Sequence, residues 1–219
     1  MLKSSSVLLR QSFPVLLFIA LNFFWYLMLE IILPYTSGET DIDFLQSKQH
    51  IIHLSHYRWA FYLHIFSSLW LLGSGLTQFS SFLLKQYPSV HRWIGKVYIG
   101  IILFVSGPAA LIMAYYANGG LIGQISFMTL SILWWWVTLR GYQAIRNGQI
   151  KAHGEWMIRS YALTFSAITL RIMQFYFATF TVIDSEIAYQ IIAFPSWILN
   201  ILIAEWIIRK SPWMKWVYG

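Results

Sequence analysis

The chain has 219 residues, of which 58% are hydrophobic, 19% aromatic and 11% charged. Ordinary soluble domains carry about 25% charged residues, and disordered chains are poor in apolar residues, so both classes are excluded. There is no cysteine, which removes disulfides, thiolate zinc sites, iron–sulfur clusters and cysteine nucleophiles. The net charge of +7 does not mark a nucleic-acid partner, because the basic residues sort by membrane side. An all-α, polytopic membrane helix bundle remains, built as a single transmembrane domain over 1–219 with the lipid bilayer as its first partner.

A helix needs about 20 apolar residues to cross the hydrocarbon layer. Charge-free runs cover Gln11–Leu29, Ile65–Leu84 and Ile187–Ala204. Val97–Leu139 is a 43-residue run without charge, interrupted by Asn118-Gly119-Gly120, which suits two helices and a tight turn. Ser160–Ile183 holds one charge, Arg171. Six spans are expected, at about 12–34, 58–84, 93–117, 121–144, 156–182 and 187–208. The first exceeds a signal-peptide core and lacks a small-x-small cleavage site, so it reads as a retained anchor.

Lysine and arginine in short loops set orientation. With the N-terminus inside, twelve basic residues fall inside and only Lys48 and Arg58 outside. Glu39, Asp41, Asp43, Asp184 and Glu186 collect outside. Both termini are therefore expected to be cytoplasmic, in a bacterial inner membrane, with Trp213, Lys215 and Trp216 forming an interfacial tail. The long first loop, about 35–57, is external.

Polar residues inside spans mark faces turned into the bundle. Span two carries His64, Ser67, Ser68, Ser74, Gly75 and Gln78 on one helical face. Span five carries Ser160, Thr164, Ala167, Arg171, Gln174 and Ala178. Span three has a face of Gly100, Gly107, Ala110 and Ala114, with Pro108 as a kink. Spans two, three and five are expected to pack at the centre. An unpaired intramembrane arginine costs at least ~2.5 kcal/mol, so Arg171 needs a partner. From the helical rise, Arg171 lies roughly 15 Å, His64 roughly 9 Å and Glu30 roughly 6 Å below the outer ends of their spans. Glu205 and Arg159 share the inner level, with His91, Lys96 and His153. The expected buried polar core is Arg171, Gln174, Gln78, Glu30, Glu205 and Arg159, in two layers separated by an apolar middle.

Four of the six histidines are external: His50, His53, His56 and His64. The His50-x-x-His53-x-x-His56 spacing is metal-like, because i and i+3 are neighbours on a helix. The competing account is a solvated interfacial loop. His91 and His153 each precede a helix on the cytoplasmic side, as cofactor ligands, a proton-handling pair or headgroup anchors; His64 is a further candidate ligand.

The run His91-Arg92-x-x-Gly95-x-x-Tyr98, then His153-x-x-Trp156-Met157-x-Arg159-Ser160-Tyr161-Ala162-x-Thr164, then Leu170-Arg171, Asn200 and Ala204-Glu205-Trp206, resembles the domain-of-unknown-function 2306 family of predicted bacterial membrane proteins. The resemblance covers about residues 58–210. It implies a multi-span membrane protein and no established reaction. His64 falls where that family's second-span histidine would, while His50, His53 and His56 lie outside the matched part.

Three functions compete. A redox-linked carrier of b-type haem or quinone would use histidines on facing spans. Haem b is its candidate cofactor, and His91 with His153 is the one complete bis-histidine pair. A small transporter or channel would use Gln78, Arg171 and Gln174, although no inverted repeat is evident. A non-catalytic accessory or assembly subunit would use the broad apolar surface to meet a membrane-protein partner or a second copy. A Gly-x-Ser-x-Gly elbow is missing, and all three Asp lie outside the spans, against a hydrolase and an intramembrane aspartyl protease. Whether the protein is an enzyme stays open here, with the redox-linked reading placed first.

Overall fold

The computed structural model describes residues 2–210, which form helices and turns with no strand among them. The elements are α1 (Leu2–Ile32), a 3₁₀ turn (Leu33–Ser37), α2 (Asp43–Gln46), α3 (Ser55–Gln78), α4 (Ser81–Gln86), α5 (Pro88–Ile101), a π turn (Ile102–Ser106), α6 (Gly107–Tyr115), α7 (Gly120–Arg146), α8 (Ile150–Thr164), α9 (Ser166–Phe180), α10 (Ser185–Ala193) and α11 (Pro195–Lys210). The tail with Trp213, Lys215 and Trp216 lies outside the described residues.

Five stretches are long and apolar enough to cross a membrane: Phe18–Ser37, Ser55–Gln78, Pro88–Tyr115, Gly120–Arg146 and Ser185–Lys210. The expected fifth span, 156–182, is divided at Phe165 into α8 and α9, each of 15 residues. Phe165 stays right-handed at φ −69°, ψ −10°, so the chain bends rather than turns back. The second span stops at Gln78, not 84, and α4 begins separately where the Ser80 hydroxyl accepts from the Leu83 amide. Pro195 lacks an amide hydrogen and divides the last span into α10 and α11.

Close approaches explain the glycines of span two. A Cβ on Gly75 would lie 2.1 Å from the Tyr161 ring, and Tyr161 donates to the Leu72 carbonyl at 2.8 Å. A Cβ on Gly73 would meet the Trp25 indole at 2.9 Å. Removing both methyls lets α1 and α8 press onto α3. At the other end, Gly119 at φ 87° and Gly120 at φ 55° take the left-handed backbone that closes the α6–α7 turn.

The main core joins Leu71, Tyr98, Ile102, Trp134, Val137, Leu163 and Trp197, from α3, α5, the π turn, α7, α8 and α11. The helix α7 is thus central as well, beyond the three spans expected there. Its Ser126, Ser131 and Thr138 are all buried. The middle of the bundle is also not purely apolar. Tyr98 Oη lies 2.8 Å from Thr164 Oγ1 and 3.1 Å from Ser160 Oγ. Trp134 Nε1 donates to Thr164 Oγ1 at 3.0 Å, and Thr138 Oγ1 lies 2.7 Å from Ser160 Oγ. Hydroxyls on neighbouring helices satisfy one another there, as burial requires.

Candidate functional site: a cavity under the 38–54 segment

Between α1, α3, α6, α7 and α9 lies a cavity of about 240 Å³, walled mainly by apolar side chains. Its polar lining includes His64, Ser68, Ser131, Arg171 and Tyr189. It occupies the end of the bundle that carries residues 38–54, termed here the loop end. Ligand pockets for drug-sized molecules span about 300–1,000 Å³, so this one suits a compact guest.

Local backbone geometry places His64. Pro108 has no amide hydrogen, and the helix ahead of it widens into the π turn Ile102–Ser106. The fully buried Ser106 at the end of that turn meets His64 with both its groups. His64 Nδ1 lies 3.2 Å from the Ser106 carbonyl and 3.1 Å from its hydroxyl. A carbonyl only accepts, so Nδ1 carries the hydrogen and Nε2 of the neutral ring keeps its lone pair. The ring also stands edge-on to Trp134 at 6.4 Å. Ser106 was not singled out from sequence, although the Pro108 kink was a pointer to it.

Arg171 lines the same cavity and donates to Gln174 Oε1 at 3.1 Å. That amide is neutral, so this contact brings no opposite charge to the guanidinium. Glu30 is not part of this group: it is exposed and interacts with Tyr26, one turn earlier on α1. Its place in the expected buried core is therefore corrected, because α1 turns that face away from the bundle.

Lys48 is the residue that sequence reasoning passed over. It lies in the 38–54 segment yet is only 2% exposed. Its Nζ donates to the Tyr116 carbonyl at 2.6 Å and to Asn118 Oδ1. Phe44 lies under the ammonium, 5.6 Å from ring centroid to Nζ. Burial brings its pKa down from the usual lysine value to about 8, and the charge of Glu186 opposes that shift. The signal was a lone lysine in an otherwise acidic loop, but its partners lie 68 and 70 residues away.

His50, His53 and His56 do not assemble a metal site. All three are exposed, and His56 Nε2 is engaged by the Tyr116 hydroxyl at 2.8 Å. Among the described residues, no three His, Asp or Glu side chains come together as a ligand set. The physical reason is backbone shape: residues 47–53 are turns, so the i, i+3 helical spacing does not apply to His50 and His53.

At the opposite end, Arg159 and Glu205 form a two-pronged ion pair, with Nε to Oε1 at 2.5 Å and Nη2 to Oε2 at 3.2 Å. The guanidinium also sits 4.7 Å from the Trp156 ring centroid. His153 Nδ1 donates to the Gly141 carbonyl at 2.8 Å. His91 lies at the same end of the bundle as His153. Two buried atoms here have no partner among the described residues, His91 Nδ1 and Gln78 Nε2. Gln78 packs where a Cβ on Gly95 would lie, 3.2 Å from its Oε1. It is 14 residues after His64, roughly 21 Å along the helix, so Gln78 shares no cavity with Arg171 and Gln174.

Large apolar side chains cover the outside of these helices, among them Phe18, Phe23, Phe104, Leu121, Phe175 and Trp206. Long apolar helices with a lipid-facing exterior and polar groups turned inward define a polytopic membrane protein. Residues 61–208 match the family described as "Predicted membrane protein (DUF2306)", and the chain belongs to that family. No curated protein and no solved structure matches the chain.

Proposed function

We propose that this membrane protein is redox-linked and holds the ring of a quinone in the loop-end cavity. The observation that carries the reading is the His64–Ser106 contact, which spends Nδ1 and leaves Nε2 as the nitrogen offered to a guest. A quinone ring is compact, apolar on both faces and polar at two opposite oxygens. His64 on α3 and Arg171 on α9 put two polar groups on different walls of a mainly apolar cavity. Arg171 donates to a carbonyl oxygen, and His64 Nε2 accepts from a quinol hydroxyl. The confined volume favours a single ring over a macrocycle such as haem.

The test is titration of the purified protein with 2,3-dimethoxy-5-methyl-1,4-benzoquinone. Trp134 lines the cavity, so a bound quinone quenches it. Saturable quenching that disappears in Trp134→Phe and weakens in His64→Leu supports the reading. Quenching that rises linearly without saturation refutes it.

A second reading concerns the other end. His91 Nδ1 is buried without a partner among the described residues, and His153, at the same end of the bundle, uses its Nδ1 on the Gly141 carbonyl. These two rings are the remaining candidates for haem or metal ligation. A Soret band lost in both His91→Ala and His153→Ala supports this role. A colourless, metal-free protein leaves both as structural residues.

A further inference from the structure

Next to the loop-end cavity is a second space, of about 520 Å³, lined by Lys48, His50, Asn118, Gln124, Glu186 and Tyr189 among others. Tyr116, Ala117, Asn118 and Tyr189 line both spaces. A wall common to two adjoining cavities is a partition, and this one is the C-terminal end of α6 with its turn into α7. The 38–54 segment rests on that partition. It has its own apolar underside, where Leu45, Ile51 and Ile52 pack with Tyr35, Tyr57 and Phe61. Its polar attachments to the partition come from two neighbouring residues. Lys48 bonds the Tyr116 carbonyl and Asn118 Oδ1, and Asn118 Nδ2 donates to Ser47 Oγ at 3.3 Å. From the far side, Glu186 Oε1 accepts from the Gly119 amide at 2.9 Å, fixing the turn that Lys48 grips.

We infer that the 38–54 segment is a lid over the loop-end cavity, that Lys48 is its latch, and that a guest reaches His64 through the space beneath that lid. The inference rests on the quinone reading for the identity of the guest but not for the movement. Lys48 is well made for a latch. A buried ammonium without its acceptors is costly, so the closed state holds only while Tyr116 and Asn118 are in place. When the lid lifts, Lys48 regains water and loses nothing irreplaceable. A purely structural lysine at the surface has no reason to be 2% exposed.

The absence of cysteine makes the test clean. Ser131 is buried on the cavity wall, and Ser131→Cys places a thiol there with little change of volume. Methyl methanethiosulfonate, a small neutral reagent, then reports cavity access without any quinone. Lys48 makes two hydrogen bonds to the partition, which its amine can donate charged or neutral, and losing both weakens closure by about tenfold or more. Labelling of Ser131→Cys is therefore expected to accelerate by about tenfold or more when Lys48→Ala is added. An unchanged labelling rate in a folded Lys48→Ala protein overturns the lid. A second variant, Ser47→Cys with Asn118→Cys, covers the case in which Lys48→Ala does not fold. These side chains touch, so oxidation ties the segment to the partition. Benzoquinone quenching should then develop more slowly in the oxidised form than in the reduced, desalted form. Equal rates in the two forms also overturn the lid. Saturable quenching with lid-independent rates would remove the lid and leave the quinone site. Lysine-dependent labelling without saturable quenching would do the reverse.

Discussion

The two ends of the bundle hold the same kinds of side chain in opposite states. At one end Arg159 and Glu205 close a two-pronged pair with Trp156 against the guanidinium, so the charges are spent on each other. At the other, Arg171 donates to the neutral Gln174 with no carboxylate paired to it among the described residues, and His64 has one nitrogen occupied. A cavity of about 240 Å³ lies in front of both. Intramembrane charges are costly, and the cost can be met inside the protein or by a guest. The first arrangement makes a fold rigid, and the second makes a site. The distinction comes from valence and void together, since an arginine count alone would rank the two ends as equals.

Several experiments break or sharpen this contrast. The largest effect is all-or-none and concerns which end faces out. In sealed cells, Ser37→Cys, at the loop end, should react with a membrane-impermeant maleimide, while Asn147→Cys, in the α7–α8 turn, should not. The reverse pattern inverts the bundle and the direction from which a guest arrives. Next is stability. Glu205→Ala leaves Arg159 without its carboxylate and should lower unfolding stability by about 2 kcal/mol, the scale of hydrogen bonds to charged groups. Its quinone affinity should stay unchanged. Loss of affinity without loss of thermal stability would mean that the ion-pair end is not merely structural. Third, His64→Leu should weaken benzoquinone binding by about tenfold, because one missing hydrogen bond is worth about 1.4 kcal/mol. Arg171→Lys should fall short of wild type, since an ammonium cannot bond a guest and Gln174 with the fixed fork of a guanidinium.

How much of this is readable without coordinates differs between the ends. Helical rise alone brings Arg159 and Glu205 to one level, and two oppositely charged groups at one depth in a thin bundle meet. Asn118-Gly119-Gly120 announces its own turn, because only glycine takes two successive left-handed conformations cheaply. The bend at Phe165 carries no such mark; its flanks are apolar on both sides, and tertiary packing decides it. The hydroxyl layer of Tyr98, Thr138, Ser160 and Thr164 is hidden for another reason. Ser and Thr inside a span can bond their own helix, so sequence does not show which of them reach across. Lys48 is hidden most deeply. Its importance comes from contacts about 70 residues away, and the one local sign, a lysine in an otherwise acidic loop, fits an ordinary solvated lysine equally well.

The smallest effect is a pH dependence of the latch, and its sign is not the intuitive one. Closure buries Lys48 and brings its pKa from 10.5 down to about 8. The open lid returns it to water and to its ordinary value. Between those two values the open state binds more protons than the closed state, so raising the pH favours closure. The groups around Lys48 are Glu186 on α10, whose charge opposes the shift, and the neutral Tyr116 and Asn118 at the α6–α7 turn. His50, two residues along the segment, lines the same space. Below pH 7 the latch is charged in both states and its own contribution is flat. From pH 7 to pH 8 the closed population should grow relative to the open by about twofold, steepening toward pH 9. Methanethiosulfonate labelling of Ser131→Cys should slow by that factor once the reagent's own pH dependence is removed, using a free thiol as reference. The slowing should vanish in Lys48→Ala. Labelling that instead speeds up as Lys48 loses its proton would mean that the charge holds the lid shut, and that the ammonium's bonds to Tyr116 and Asn118 outweigh its loss of water.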